Sequence, residues 1–341
     1  MSDARVSTPL LEVEDLRVSF NTREGLVQAV DGLSISVGRK EVVGIVGESG
    51  SGKSVAMYSL LGLVRDANVS ISGHVRYEGR EILGLPDDEM RSIRGRDVAM
   101  IFQDPMTALT PVYTVGWQIV EQIRAHEDVT KAQAHARAVE LLGEVGIPDP
   151  ARRVHLYPHE FSGGMRQRVV IAMALSCHPK LLIADEPTTA LDVTTQAQIL
   201  ELLRRLQATY DSSIVLITHD MGVISEMADR VVVMYAGRPV EVGGRRDVIR
   251  TPRHPYTWGL LGAVPRVESK RTRLVTIPGV AVSPLDLPPG CAFAPRCAYR
   301  FEMCDQRPAL RGDDGHLDAC WLDPTRKVEI RRRVTETGVV S

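Results

Sequence analysis

The sequence predicts an α/β fold: a parallel sheet preceded by an antiparallel β-subdomain, interrupted by a helical insertion and followed by an irregular cysteine-rich extension. Three observations carry that expectation. Near-continuous apolar runs at Val42-Val43-Gly44-Ile45-Val46, Leu181-Leu182-Ile183-Ala184, Ser213-Ile214-Val215-Leu216-Ile217 and Val231-Val232-Val233-Met234-Tyr235 are separated by helical patterns, as in strands buried on both faces. The first run leads directly into Gly47-Glu48-Ser49-Gly50-Ser51-Gly52-Lys53-Ser54, which fits the strand–loop–helix pattern G-x-x-x-x-G-K-[ST]. Four of the five cysteines, Cys291, Cys297, Cys304 and Cys320, crowd into the C-terminal end of the chain.

A chain of 341 residues is long enough for a large core and suggests two domains. Its 44% hydrophobic and 25% charged content is that of an ordinary globular protein. A net charge of −2 gives no support for a nucleic-acid surface, and the basic run Arg331-Arg332-Arg333 reads as a solvated tail. No apolar window is long enough to span a bilayer, and Met1-Ser2-Asp3-Ala4-Arg5 lacks the apolar core of a secretory signal. The expectation is a cytosolic chain whose membrane role, if any, comes through partners.

Taken in order, residues 11–20 and 27–37 alternate apolar and polar positions, as strands of a partly exposed antiparallel sheet do. Turns are expected at Asp31-Gly32 and Gly38-Arg39-Lys40, and a hairpin over Ile71–Gly79. After the short strand Val98–Phe102 the texture becomes helical as far as about Glu160. Thr130 is placed to cap a helix from Lys131 to Leu142, which Gly146 to Pro150 then breaks. Gln196 to Ala208 forms the helix between two of the parallel strands. Beyond about Arg245, after a short helix near Arg246–Arg250, Pro252, Pro255, Pro265, Pro278, Pro284, Pro288, Pro289 and Pro295 predict little regular structure.

The chemistry concentrates at a few points. In the Gly47–Ser54 loop, glycines let successive backbone N–H groups turn inward at phosphate oxygens, at the positive end of the helix beginning near Lys53. Lys53 then reaches the β- and γ-phosphates and the Ser54 hydroxyl ligates Mg²⁺. A Gly/Ser surface turn is the competing reading, and the strand before and apolar helix after argue against it. Leu181–Ala184 ends in Asp185-Glu186: Asp185 is placed to hold the same Mg²⁺, and Glu186 to polarise a water attacking the γ-phosphate. Gln103 follows a strand, where its amide meets Mg²⁺ and that water; His219 follows another, facing the γ-phosphate. Ser162-Gly163-Gly164-Met165 opens a second helix with an anion-ready N-terminus.

In order, Gly47–Ser54, Gln103, Ser162–Gln167, Asp185-Glu186, Ala190-Leu191-Asp192 and His219 resemble the ATP-binding subunits of ATP-binding cassette transporters over roughly residues 9 to 245. The resemblance implies a P-loop NTPase fold with a RecA-like parallel sheet. It assigns these stretches in turn as the Walker A loop, Q-loop, signature, Walker B strand with its glutamate, D-loop (Asp192) and H-switch. It implies that Gly47, Ser49, Gly50, Ser51, Gly52, Lys53, Ser54 and Val55 bind ATP, that Phe20 stacks on adenine, and that Glu186, His219 and Gln103 are catalytic. Mg²⁺ falls to Ser54, Gln103 and Asp185. The family's usual signature is L-S-G-G-Q; here Phe161 and Met165 stand at its ends, while Ser162, Gly163 and Gly164 are intact. The implied mechanism closes two cassettes head to tail, each ATP lying between one chain's Walker A loop and the other's signature.

The spacing Cys291-x5-Cys297-x6-Cys304-x15-Cys320 lacks the short C-x-x-C pairs of structural zinc sites. Four thiolates at loop spacing suit zinc or an iron–sulfur cluster. Arg253-His254-Pro255-Tyr256-Thr257, Gly290–Cys297 and Ile101–Pro111 resemble the oligopeptide/dipeptide importer ATPases, most of all the D-type dipeptide subunit, although Thr110 stands where that group usually has Asn. In that group the cysteines are associated with a [4Fe-4S] cluster, with zinc as the alternative. The expected domains are a nucleotide-binding domain over residues 8–245, with a helical subdomain at about 106–165, and the extension over 246–341. The expected partners are a second homologous cassette (a heterodimer), two permease subunits and an extracytoplasmic binding protein, with no nucleic acid. The chain would sit peripherally on the cytoplasmic face of the membrane. Alternatives are an importer of nickel, glutathione or haem, or a soluble cassette protein acting on DNA, ribosomes or iron–sulfur assembly.

Overall fold

A computed structural model of the chain describes residues 8–263, 277–313 and 315–337. Met1–Arg5, Pro265 and the side chains of Arg332 and Arg333 lie outside the described residues. The described residues form two compact units: residues 8–10, Val37–Val42 and Gly84–Ile217 make up the first, and Leu11–Ser36, Val43–Leu83 and the described residues from Thr218 onward the second.

In the first unit the strand Leu181–Asp185 runs parallel to Val98–Ile101 on one side and to Ser213–Thr218 on the other. All five of its residues are buried, in keeping with the unalternating apolar run Leu181–Ala184 that precedes Asp185. Helices follow the sequence signals closely. Thr130 and Gln133 form a reciprocal capping box on Lys131–Glu144, satisfying two orphan donors at once. Thr114 caps Val115–His126, Ser162 caps Gly163–Leu175 and Asp192 caps Val193–Tyr210. Gly116 lets Val115–His126 close on the backbone of Val154, where a Cβ would lie 2.5 Å from the Val154 carbonyl oxygen.

In the second unit Val42–Val46 pairs in parallel with Arg230–Tyr235, and Arg238–Gly244 pairs antiparallel with the latter. A separate antiparallel sheet takes Gly25–Val37, Leu11–Thr22, Val69–Tyr77 and Arg80–Glu81 in that spatial order. The turn expected at Asp31-Gly32 is not one, since Gly25–Val37 is a single strand. Asp31 is 6% exposed and its carboxylate accepts from Arg17, from Arg238 Nε at 2.9 Å and from Arg307 Nη1 at 3.0 Å. Three guanidinium partners supply the compensation a buried carboxylate needs, and Gly32, at φ +85°, lets the strand run on past it.

The C-terminal extension is more ordered than its prolines predict. Residues 277–310 carry only short 3₁₀ turns, but helices form at Pro255–Gly262 and Pro324–Thr337. His316–Asp318 adds to the edge of Arg238–Gly244, and Arg311–Asp313 pairs with it in turn. The join is polar and buried. Glu241, 0% exposed, accepts from the backbone N–H of Arg253 (2.7 Å) and His254 (2.9 Å) and from His316 Nε2 (2.8 Å). Lys327 donates to Asp318 at 2.5 Å, again buried. Around them one apolar cluster joins Val231, Val233, Tyr235 and Val240 of the sheet to Tyr256, Ala292 and Phe293 of the extension.

Candidate functional site

The loop Gly47–Gly52 is built around one ammonium group. Lys53 Nζ donates to the carbonyl oxygens of Gly47 (2.7 Å) and Glu48 (2.8 Å) and to Ser51 Oγ (3.2 Å). The Ser51 N–H closes back on the Glu48 carbonyl at 3.2 Å, and Ser51 O accepts from Gly237 N–H at 3.0 Å. Two glycines are fixed by geometry. A Cβ on Gly47 would sit 2.1 Å from the Met234 carbonyl oxygen, and Gly52 has φ +92° with the Ala29 carbonyl oxygen 2.2 Å from its would-be Cβ. Gly50, at φ +76°, has open space where its Cβ would be, and its backbone conformation is the one that favours glycine. The helix Lys53–Leu60 follows with no side-chain cap at its N-terminus, the end whose dipole favours an anion. Ser54 stands in its first turn. In the same unit Phe20 lies partly buried on Leu11–Thr22, opposite Val69, and His219 is exposed just before the Asp220 cap of Met221–Met227.

The first unit brings a different set together. Asp185 ends its strand fully buried. Glu186, next in the chain, has a left-handed backbone (φ +46°) and its N–H donates to Ile217 O at 2.9 Å. Its Oε2 accepts from Gln103 Nε2 at 3.0 Å and from Thr189 Oγ1 at 2.8 Å. Gln103 and Glu186, read separately from the sequence, are thus brought into direct contact. Thr189 was not among the sequence candidates, although a hydroxyl three residues beyond a turn-forming acid is a recognisable signal. A left-handed non-glycine at such a position costs on the order of 1–3 kcal/mol, held by the structure around it. Ser162 caps the helix at Gly163 through Met165 N–H (3.4 Å), and Gly163 has only open space around its would-be Cβ. Gly164 packs against Thr195, whose N–H and hydroxyl also bind Asp192 at 3.0 and 2.6 Å. Those Thr195 bonds, the hydroxyl first, hold the Asp192 carboxyl below its usual pKa.

In the extension Cys291, Cys297, Cys304 and Cys320 line one cavity with His254, Phe293 and Tyr299. Burial raises the thiol pKa of Cys291, lifts that of Cys297 to about 11 and that of Cys320 to about 12. Among the described residues no three His, Cys, Asp or Glu side chains are grouped closely enough to hold one metal ion. The four cysteines thus line one cavity without three of them converging on a single point.

One residue of the phosphate loop escaped the sequence reading altogether. Glu48 pairs through both carboxylate oxygens with Arg296, at 2.6 and 3.1 Å, and its N–H donates to Tyr256 Oη at 2.7 Å.

Comparison with known proteins places these features. The family profile described as ABC transporter matches residues 30–189, and that described as oligopeptide/dipeptide transporter, C-terminal region, matches residues 240–304. The chain is 51% identical over 313 residues to the oligopeptide transport ATP-binding protein OppD of Salmonella typhimurium, covering 92% of this chain and 93% of that one. It is 50% identical over 321 residues to the dipeptide transport ATP-binding protein DppD of Bacillus subtilis, covering 93% and 96%. Among solved structures, a dimeric ATP-binding cassette in a post-hydrolysis state with ADP and Pi matches with a TM-score of 0.62 at 26% identity, over 69% of this chain and 99% of that one. The strand–loop–helix cradle and the carboxylate pair ending a buried strand thus define an ATPase of the ATP-binding cassette class. Within that class, the chain belongs to the family of oligopeptide/dipeptide transport ATP-binding subunits. Membership implies a second cassette and membrane permeases as partners. Among the described residues no helix is long and apolar enough to cross a membrane.

Proposed function

We propose that the chain is the ATP-hydrolysing subunit of an importer of short peptides, and that its two functional halves do separate work. Lys53, the loop residues Gly47, Ser49, Gly50, Ser51 and Gly52 and the helix start at Ser54 and Val55 bind the triphosphate, with Phe20 stacked on adenine. Ser54, Gln103 and Asp185 supply the oxygen ligands for Mg²⁺, which would neutralise phosphate charge when bound. Glu186 accepts a proton from the attacking water, with Gln103 and Thr189 holding its carboxylate in place, and His219 faces the γ-phosphate. Ser162, Gly163 and Gly164 serve the ATP of a partner cassette, with Asp192 fixing the neighbouring helix start. The observation that carries this reading is the double hydrogen bond on Glu186 Oε2, which orients a carboxylate directly after the buried Asp185.

The partners proposed are a second, homologous cassette, two permeases and an extracytoplasmic binding protein, with this chain peripheral on the cytoplasmic face. The peptide substrate is supported by the relatives' names and the matching extension. A [4Fe-4S] cluster held by Cys291, Cys297, Cys304 and Cys320, with zinc the competing occupant, has as its support the lining of one cavity by all four cysteines. The nucleotide-binding domain is proposed over residues 8–245, with its helical subdomain at about 106–165, and the extension over 246–341.

The test is ATP-driven uptake by proteoliposomes containing the whole complex. Uptake of labelled di- and tripeptides that disappears with Lys53→Ala is expected, whereas uptake of nickel, glutathione or haem but not peptide would replace the substrate assignment. Iron and sulfide analysis of the anaerobically purified chain tests the cluster: four irons per chain are expected, and zinc alone would defeat it.

A further inference from the structure

Glu48 raises a physical problem. It places a carboxylate inside a loop whose purpose, on the reading above, is to bind a triphosphate, and like charges this close repel. The structure answers with a cation from far along the chain. Arg296, in the 3₁₀ turn Ala294–Arg296 immediately before Cys297, meets both oxygens of Glu48 at 2.6 and 3.1 Å. This is the two-pronged geometry that suits guanidinium and carboxylate. The guanidinium is held from several sides: Nε donates to Pro278 O at 2.9 Å, Nη1 to Tyr235 Oη at 3.4 Å, and its carbon lies 5.8 Å from the Tyr235 ring centre. The Arg296 side chain is only 6% exposed, against 31% for Glu48, so the arginine is the fixed member and the loop carboxylate the adjustable one. Beside it the buried Tyr256 hydroxyl takes the Glu48 N–H at 2.7 Å, turning that amide away from its neighbours in the loop.

We propose that Arg296 is a positioning residue for nucleotide binding: it neutralises Glu48 and fixes the first turn of the phosphate loop, so that ATP affinity depends on the cysteine-bearing segment that presents it. The link is built from this chain's own residues. Cys291 and Cys297 bracket Phe293, which packs at 5.3 and 5.4 Å against Tyr235 and Tyr256. Displacing the Cys291–Cys297 turn therefore moves the cation, and with it the charge seen by an incoming phosphate.

The inference rests on Gly47–Ser54 being the ATP-binding loop, and a double-mutant cycle on the full-length chain separates the two. Equilibrium binding of fluorescent N-methylanthraniloyl-ATP is measured for wild type, Arg296→Gln, Arg296→Lys, Glu48→Gln and the Glu48→Gln/Arg296→Gln pair. Arg296→Gln is expected to weaken binding about 3- to 30-fold by exposing a negative charge near the phosphates, and Arg296→Lys to recover most of the loss. In the Glu48→Gln background the same arginine change is expected to cost less than about twofold, because the charge it neutralises is gone. A general loosening of the extension would weaken binding equally in both backgrounds, and that result overturns the proposal, as does unchanged affinity in Arg296→Gln. A wild-type chain that failed to bind the nucleotide would overturn the loop assignment itself.

Discussion

Replacing Glu241 tests how the extension is held to the cassette. Its two carboxylate oxygens serve three donors: Oε1 takes Arg253 N–H and His316 Nε2, and Oε2 takes His254 N–H. Glu241→Ala leaves all three donors facing a void at a fully buried position. A buried donor without a partner costs about 1–3 kcal/mol, so three amount to about 3–9 kcal/mol, a large part of the roughly 5–15 kcal/mol that stabilises a typical domain. Glu241→Gln keeps one oxygen, which can take the two donors now meeting Oε1, and turns an NH₂ toward His254 N–H; one lost acceptor puts its cost at about 1–3 kcal/mol. At about 2–4 °C per kcal/mol for a body of this size, the glutamine variant should melt roughly 2–12 °C lower. The alanine variant should release the C-terminal segment to proteolysis well below the wild-type melting temperature. Thermal unfolding followed by limited proteolysis with mass mapping reads both. If both variants melt within about 2 °C of wild type, Glu241 is not the anchor that the three contacts imply.

Two further outcomes follow from the site and its surroundings. Glu186→Gln can present its amide oxygen to both Gln103 and Thr189, so ATP binding should be retained while turnover falls about 10²- to 10⁴-fold, the contribution of general base catalysis. Phosphate release from the assembled complex under single-turnover conditions measures it, and unchanged turnover removes Glu186 as the base. Burial, with nearby Lys327 adding to it, holds the His254 pKa down to about 3, while its Nδ1 caps Pro255–Gly262 through Tyr256 N–H. The unfolded chain takes up that proton near the ordinary histidine value and the folded chain does not. This stability is therefore complete above about pH 6.5 and is lost as the pH falls toward 3. His254→Asn, which can keep the cap, should flatten the acid side of the melting-temperature profile, and an identical acid slope in both proteins would refute the assignment.

The parts of this fold written in neighbouring residues were legible in the sequence. The capping box at Thr130 and Gln133 needs only a spacing of three, and the phosphate loop needs eight consecutive positions, so both read directly. Asp31-Gly32 misled because the pair usually turns, while here three arginines from positions 17, 238 and 307 hold Asp31 in an extended strand. The strands at Arg311–Asp313 and His316–Asp318 are three residues each, too short for any alternation to show. Glu48 and Arg296 are 248 residues apart and share no local pattern. One clue was present: an acid within an anion-binding loop requires a nearby cation, although nothing in the sequence says which of the 41 basic residues supplies it.

The pairing of His316–Asp318 with Arg238–Gly244 also bears on how the protein is made. Arg238–Gly244 leaves the ribosome long before its edge partner is synthesised, so for several seconds at about 5–20 residues per second its outer row of N–H and C=O groups has nothing from this chain to bind. An open strand edge invites pairing with another nascent chain. The finished protein closes that edge with two strands too short to template a neighbour, the outer one fully exposed. Premature termination anywhere between Gly244 and His316 would therefore yield a chain with a complete phosphate loop and an open sheet edge, and its expected fate is aggregation rather than partial activity.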